Sequence, residues 1–283
     1  MATAAYRQAD LFETKGRIRP VLKWAGGKFR VLQEILPRLP AGDRLIEPFA
    51  GSAAVSLNAS FPSALVADSN ADLINLYRSI KNDASRFINE AEALFGGNYN
   101  NRESFDALRA EFNDCEDPFR RSVIFVYLNR HGFNGLCRYN GKGRFNVPFG
   151  KYHNPSFPRA DIEGFGEATR HINFVHQSFH ATMSQARPGD VIYCDPPYVA
   201  LSVTSNFTSY SAGAFGFAEQ KLLAEQARKC AARGIPVVIS NHDTGESRAL
   251  YQGAEIHSFT VQRYISSKAS TRGNAPELLA IFR

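Results

Sequence analysis

Cysteine is scarce in this chain: four in 283 residues, Cys115, Cys137, Cys194 and Cys230, none paired as CxxC. Such spacing excludes a disulfide framework and a zinc knuckle and fits a reducing compartment. Long apolar runs are also missing. Nowhere do about 18 apolar residues follow one another, and no apolar stretch follows a basic start, so neither a membrane span nor a secretory leader is expected. The expected location is therefore cytoplasmic. No GxxxxGK[ST] spacing occurs, which removes phosphate-loop nucleotide hydrolysis. His176 and His180 lack companion ligands, so no metal is expected. Internal repeats and low-complexity tracts are absent as well.

What is present can build a full core: 44% of the residues are hydrophobic, enough for one large domain or a domain carrying an insertion. Lysine and arginine exceed aspartate and glutamate by 33 − 27, a net charge of +6. That suits a polyanionic partner, although mildly basic enzymes are common and the charge alone does not choose one.

Met1 to Arg19 is polar and unpatterned and reads as a loose arm. Arg44 to Pro48 (RLIEP) and Ala64 to Asp68 (ALVAD) read as short buried strands, with helical Ala53 to Ser60 between them. From about Ala71 to Gly166 long amphipathic stretches rich in Arg and Asn end in NGKGRFNVPFGKYHNPSFP, dense in turn formers and aromatics. Strand and helix then alternate again: INFVH at 172–176, DVIYC at 190–194, a helix over Glu219 to Arg233, IPVVIS at 235–240 and a terminal ELLAIF. The pattern predicts a doubly wound α/β sheet interrupted by a mainly helical insertion with a loop or hairpin. Residues 1–70 and 167–283 would form the sheet domain and 71–166 the insertion.

The strongest chemical signal is Asp195-Pro196-Pro197-Tyr198, directly after the buried strand VIYC, where parallel strands open onto a ligand crevice. Two prolines fix the backbone and lack N–H groups, so the Asp195 carboxylate and the Pro196 carbonyl can both accept from one amino group, such as the exocyclic NH2 of adenine. An ordinary strand exit with an Asp cap has the same sequence. A second signal is Glu47-Pro48-Phe49-Ala50-Gly51-Ser52-Ala53, a tight turn into a helix, followed by Asp68 at the end of the next strand, where a carboxylate can hold ribose hydroxyls. Gly51 closing a turn and Asp68 capping the helix near Ala71 would serve equally. The third is Lys23-Trp24-Ala25-Gly26-Gly27-Lys28, with the chain's only tryptophan between two lysines.

Together these blocks resemble bacterial and phage DNA adenine methylases of the Dam type, the class with its target-recognition region between the cofactor motif and DPPY. LKWAGGK, EPFAGS, ADSNADLINLY, DPFRRSVIFVYLNRHGFNGLCRYNGKGRFNVPFGKY, VIYCDPPY, ISNHDT and YISSKASTR follow in that family's order from Pro20 almost to the C-terminus. The resemblance implies a Rossmann-like doubly wound methyltransferase sheet, S-adenosylmethionine as cofactor, S-adenosylhomocysteine as product, and no metal. It further implies transfer to N6 of adenine in duplex DNA, in the palindrome GATC, after base flipping. The protein is expected as a monomer on DNA in a bacterial or phage setting.

Carried over by position, the resemblance has Trp24 and Lys28 line the cofactor site, Phe49 lie against the cofactor adenine beside Gly51, and Asp68 hold the ribose. Asp195, Pro196, Pro197 and Tyr198 form the catalytic tetrapeptide, with Tyr198 as a stacking surface for the extruded base. Leu136, Arg138 and Pro148 face base edges, with Lys23 also reaching a base. Arg130, Asn134 and Asn140 sit at phosphates and near the extruded adenine, Phe133 wedges into the duplex, and Tyr152 closes the same DNA-binding block. Two departures stand out. Ala53 replaces the usual Gly and, as the smallest substitute, is expected to limit backbone approach only slightly. Phe133 replaces the usual Tyr and keeps a stacking face. Cys194, inside its strand, reads as core rather than as the nucleophile of a cytosine methylase. The rival classes are a glutamine or RNA methyltransferase with an NPPY-type tetrapeptide and a non-catalytic DNA-binding regulator.

Overall fold

In the computed structural model the residues described are 16–198, 215–262 and 274–283. Most of the expected N-terminal arm and the block YISSKASTR lie outside them.

Seven strands form one sheet in the order β3-β2-β1-β4-β5-β7-β6. They are β1 (Arg44–Glu47), β2 (Ser63–Asp68), β3 (Ile172–His176), β4 (Asp190–Cys194), β5 (Val237–His242), β6 (Glu255–Gln262) and β7 (Asn274–Phe282). β1 to β5 pair in parallel, whereas β7 runs antiparallel to both β5 and β6. The expected doubly wound α/β sheet is therefore present. Central parallel strands are covered on both faces, so they read as continuous apolar runs, and all five residues of β4 are buried.

The strand order reverses between β1 and β4, which are adjacent. Arg44 fixes their register by donating through Nε and Nη2 to Asp190, at 2.9 and 2.6 Å, across the first residue pair of the two strands. Consequently Glu47-Pro48-Phe49 and Asp195-Pro196-Pro197 leave neighbouring strand ends side by side, at the topological switch point where such sheets bind ligands.

Ten α-helices are described. Four are short: α1 (Leu32–Ile35), α2 (Ala54–Asn58), α8 (Phe179–Ser184) and α10 (Gly245–Leu250). The longer ones are α3 (Ala71–Asn82), α4 (Ala84–Glu92), α5 (Arg102–Asp114), α6 (Pro118–His131), α7 (Arg159–Ala168) and α9 (Phe217–Ala231). Helices α3 to α7 cover one sheet face, sharing a core with Leu45, Val66, Val191 and Tyr193. The alternate residues Ile46, Ile192 and Cys194 belong to the other face, packed on α9. Helix α6 starts with Asp117 accepting from Phe119 N and Pro118 in its first turn, a pre-organised helix start, and is buried from Ser122 to Asn129.

After α6, the segment expected as a loop or hairpin forms a short hairpin. Asn140 N donates to Arg144 O at 2.9 Å, Asn146 N donates to Arg138 O at 3.0 Å, and Tyr139 bridges Phe145.

Candidate active site and nucleic-acid face

Asp195 emerges from β4 half-buried and is held on one oxygen by two partners. Lys28 Nζ lies 2.8 Å and Ser240 Oγ 2.9 Å from Oδ1. Lys28 is itself buried and also donates to Gly26 O at 2.7 Å, so the KWAGGK block delivers a fixed ammonium to the DPPY turn. The same ammonium lies 4.6 Å from the centre of the Tyr198 ring. That ring meets His242 edge-on at 4.6 Å, and its hydroxyl donates to Glu277 Oε2 at 3.1 Å. Burial and the nearby Asp195 charge push the Tyr198 phenol well above its usual range, so it stays neutral. Gln220 Nε2 donates to Pro197 O at 2.6 Å, which fixes the turn after Asp195 from the α9 side.

At the neighbouring strand ends Asp68 accepts from Gly51 N at 3.1 Å and from Asn70 N at 2.9 Å. It does not cap the following helix; Asn70 does, accepting from Leu73 N. Burial raises the Asp68 carboxyl above its ordinary value, with the two backbone N–H groups opposing. Gly51 has φ +45, and a Cβ there would come 3.1 Å from Trp24 Nε1, so the tryptophan closes over the turn and glycine is required beneath it.

Ala53 shows a different constraint from the one expected. It has φ +56 and ψ 20, left-handed geometry that a side chain disfavours by roughly 1–2 kcal/mol, so the cost of replacing Gly is conformational rather than a matter of close approach. Phe49 stacks on Phe179 with ring centres 5.3 Å apart and meets Phe215 edge-on at 5.4 Å. The sequence reading missed these two aromatics, whose association with Phe49 is created by the sheet.

Glu47, between the two carboxylates at the strand ends, is buried and accepts from Ser56 N at 3.2 Å and from Ser56 Oγ. Burial pushes its carboxyl up to about 8; the Ser56 hydrogen bonds oppose the rise and the charges of Asp195 and Asp68 add to it. Because the folded-state value lies above the ordinary 4.5, the folded protein holds the proton longer than the unfolded chain. Glu47 therefore contributes stability that is complete below about 4.5 and is lost as pH rises through about 8. The expected slope is at most about 1.4 kcal/mol per pH unit. In Glu47→Gln this component disappears, and thermal unfolding midpoints across that window should fall less with pH than in the parent. Parallel curves would show that Glu47 is ionised throughout.

The expected DNA-binding residues divide into three groups. Lys23, Phe133, Asn134, Pro148 and Tyr152 are brought together. Lys23 Nζ lies 4.7 Å from the centre of the Tyr152 ring, Asn134 N donates to the Tyr152 hydroxyl at 2.9 Å, and Phe133 N donates to Pro148 O at 2.9 Å. Phe133 is 49% exposed, so it belongs to no core. Buried Asn129, which the sequence reading missed, ties Lys23 to the loop that carries Phe133 and Asn134: it accepts from Lys23 N at 2.9 Å and donates to Lys23 O and Gly135 O, both at 2.8 Å.

Leu136 is half-buried, and Arg138 is exposed on the hairpin, where its Nε donates to Asn146 Oδ1 at 2.8 Å and its Nη2 to Asn146 O at 3.1 Å, bonds it would exchange for those to a base. The remaining two residues are committed locally. Asn140 Oδ1 accepts from Lys142 N and Arg144 N at 2.9 and 3.1 Å, closing the turn. Arg130 is largely buried, donating to Val21 O with Asp161 at 3.8 Å.

Among the described residues no group of three His, Cys, Asp or Glu is placed to share a metal ion, and no helix is long and apolar enough to cross a membrane. Cys194 lies fully inside β4, with its thiol pushed well up by burial.

A family model described as D12 class N6 adenine-specific DNA methyltransferase matches residues 24–265. Proteins named DNA adenine methylase from Salmonella typhi and Escherichia coli (strain K12) are each 46% identical over 265 residues, covering 94% of this chain and 95% of theirs. One from Serratia marcescens is 46% identical over 266 residues, covering 94% of this chain and 98% of its own.

Proposed function

The chain belongs to the D12 class of N6 adenine-specific DNA methyltransferases, and from that membership we propose that it methylates adenine in GATC of duplex DNA after extruding the base. The observation that carries the assignment of roles is the convergence of three separate blocks at the β1–β4 switch point: Lys28, the Glu47 to Ala53 turn with Asp68, and Asp195 to Tyr198.

S-adenosylmethionine, when bound, supplies the electrophilic methyl group. The crevice fits a nucleoside: Asp68 presents a carboxylate at the end of β2, Gly51 lets Trp24 close over the turn, and Phe49 offers an aromatic face. On this reading Trp24, Lys28, Phe49, Gly51 and Asp68 hold the cofactor.

An adenine inside the stack hides N6, so the enzyme must take the base out. Asp195 and the Pro196 carbonyl accept hydrogen bonds from the two N6 N–H groups and draw the amino group out of conjugation, freeing its lone pair. As the N–C bond forms and the S–C bond breaks, N6 gives up one proton, which passes to solvent. Lys28 and Ser240 fix the Asp195 carboxylate before the base arrives, so orientation and electrostatics supply the catalysis. Tyr198, pinned through its hydroxyl to Glu277, presents the stacking surface. Residues 71–166 carry target recognition, with Phe133 filling the space the base leaves. Arg130 would join through phosphate contact, and Asn140 would carry its phosphate contact on the amide nitrogen.

Arg138 is proposed as the guanine reader, bidentate to O6 and N7. In Arg138→Ala, competition binding with single-base variants of GATC should show a cost of about 1–3 kcal/mol on the cognate site and relaxed discrimination at one base pair. Uniform weakening on every sequence would make Arg138 a phosphate contact and remove base readout from the hairpin.

A further inference from the structure

Three side chains of the β2–α3 turn, at alternate positions, reach three destinations. Asp68 holds Gly51 N in the cofactor crevice. Asn70 Nδ2 donates to Cys137 Sγ at 3.6 Å, and Asp72 Oδ2 accepts from the Tyr139 hydroxyl at 2.7 Å. The segment opposite also alternates. Cys137 and Tyr139 turn inward to this loop, while Arg138 and Asn140 between and beyond them are exposed. One stretch of backbone thus carries the clasp on one side and the proposed base reader on the other.

The clasp is stiff. Asp72 is 9% exposed, and its other oxygen accepts from Arg121 Nε and Nη2 at 2.9 and 2.7 Å. Arg121 is fixed in turn by donating to Cys115 O at 3.1 Å, and its guanidinium lies 4.3 Å from the centre of the Phe112 ring. Tyr139 packs edge-on against Phe145, its partner across the hairpin, at 5.8 Å. A displacement of the 68–72 turn therefore cannot leave the hairpin where it is without breaking the Tyr139–Asp72 and Asn70–Cys137 hydrogen bonds, the first of them to a carboxylate.

We propose that Asp72 and Tyr139, supported by Asn70 and Cys137, are positioning residues that couple occupation of the cofactor crevice at Asp68 to the placement of Arg138 on DNA. The coupling rests on the roles given to Asp68 and Arg138 above. Linkage makes it reciprocal: bound duplex tightens the cofactor by the factor with which cofactor tightens the duplex.

Tyr139→Phe tests this with the loss of one hydroxyl, leaving the ring packing and the Asp72–Arg121 pair in place. Calorimetry would measure S-adenosylhomocysteine binding to the full chain, alone and with a saturating duplex that the parent methylates, whatever its sequence. The parent should bind it about five-fold or more tightly on the duplex, within the usual range of such couplings. In Tyr139→Phe that factor should fall to about one while the dissociation constant without DNA stays within about two-fold of the parent's and the unfolding midpoint is retained. A variant keeping the parent's factor, or a parent whose factor is already one, would overturn the coupling. A parent that methylates other adenines as fast as GATC would instead overturn the GATC assignment and leave the coupling factor measurable.

Discussion

Asp195→Ala is expected to lose methyl transfer by at least about 10²–10³-fold in kcat, the scale set by removing one preorganised electrostatic partner from a reacting centre. The structure adds a second consequence. The Lys28 side chain is only 7% exposed and has Asp195 as its counter-charge, so alanine strands a buried ammonium. Breaking a buried pair costs up to about 3–5 kcal/mol, reduced here because the Asp195 side chain is 20% exposed. Lost activity in Asp195→Ala alone would therefore mix chemistry with stability. Asp195→Asn reduces the structural loss, since its amide oxygen can still accept from Ser240 and Lys28 in nearly the same volume, but it too removes the counter-charge of Lys28, so the melting curve is what separates stability from chemistry. Single-turnover transfer at saturating DNA and cofactor, beside a melting curve, should show both variants inactive and the asparagine variant folded at the assay temperature. Parent-like turnover in a folded Asp195→Asn would remove the carboxylate from the mechanism.

The second large effect is on the cofactor. Asp68→Ala removes the proposed acceptor for the ribose and also the partner of Gly51 N and Asn70 N. Hydrogen bonds to charged groups contribute about 1.5–3 kcal/mol, so the dissociation constant should rise about 10–100-fold. The turn that places Gly51 beneath Trp24 loosens at the same time, which directs the effect to the nucleoside. Chemistry is expected to survive: kcat at saturating cofactor should stay within a few-fold of the parent's, because the role proposed for Asp68 is on the ribose and not on the target base. Calorimetry with S-adenosylhomocysteine decides. An unchanged dissociation constant would mean that the ribose lies elsewhere, and a collapse of kcat at saturation would place Asp68 closer to the reaction than the fold suggests.

Much of this site was legible in the sequence because its supports are buried parallel strands. DVIYC matches β4 residue for residue, and INFVH matches β3. The central strand β4 is buried along its whole length, and the chemistry follows directly at its end, while β3, at one edge of the sheet, was marked by its alternating apolar residues. Edge strand β6 was not legible. In EIHSFTVQ the apolar residues do not keep a period of two, and the strand's described side chains are only half-buried or exposed, so no core face marks the pattern. The local reading of Asp68 as a helix cap failed for a related reason: Asn70, two residues on, is an equally good cap, and only the fold decides which side chain turns to the helix and which to Gly51.

Pairings across long sequence separations were out of reach as well. Nothing near Lys28 names Asp195 as its partner, and Tyr198 finds Glu277 through the β5–β7 pairing. Arg130 and Asn140 show the converse. The family resemblance implies phosphate contacts for both, and nothing in the sequence announces the local partners that the fold gives them.

The most direct test of the central claim is to follow the methyl group. The full chain would be incubated with methyl-labelled S-adenosylmethionine and two duplexes of equal composition, one containing GATC and one with that adenine moved out of the palindrome, and the products digested to nucleosides. Label is predicted in N6-methyldeoxyadenosine and from the GATC duplex alone. Label in a cytosine nucleoside, or equal label from both duplexes, would contradict the account.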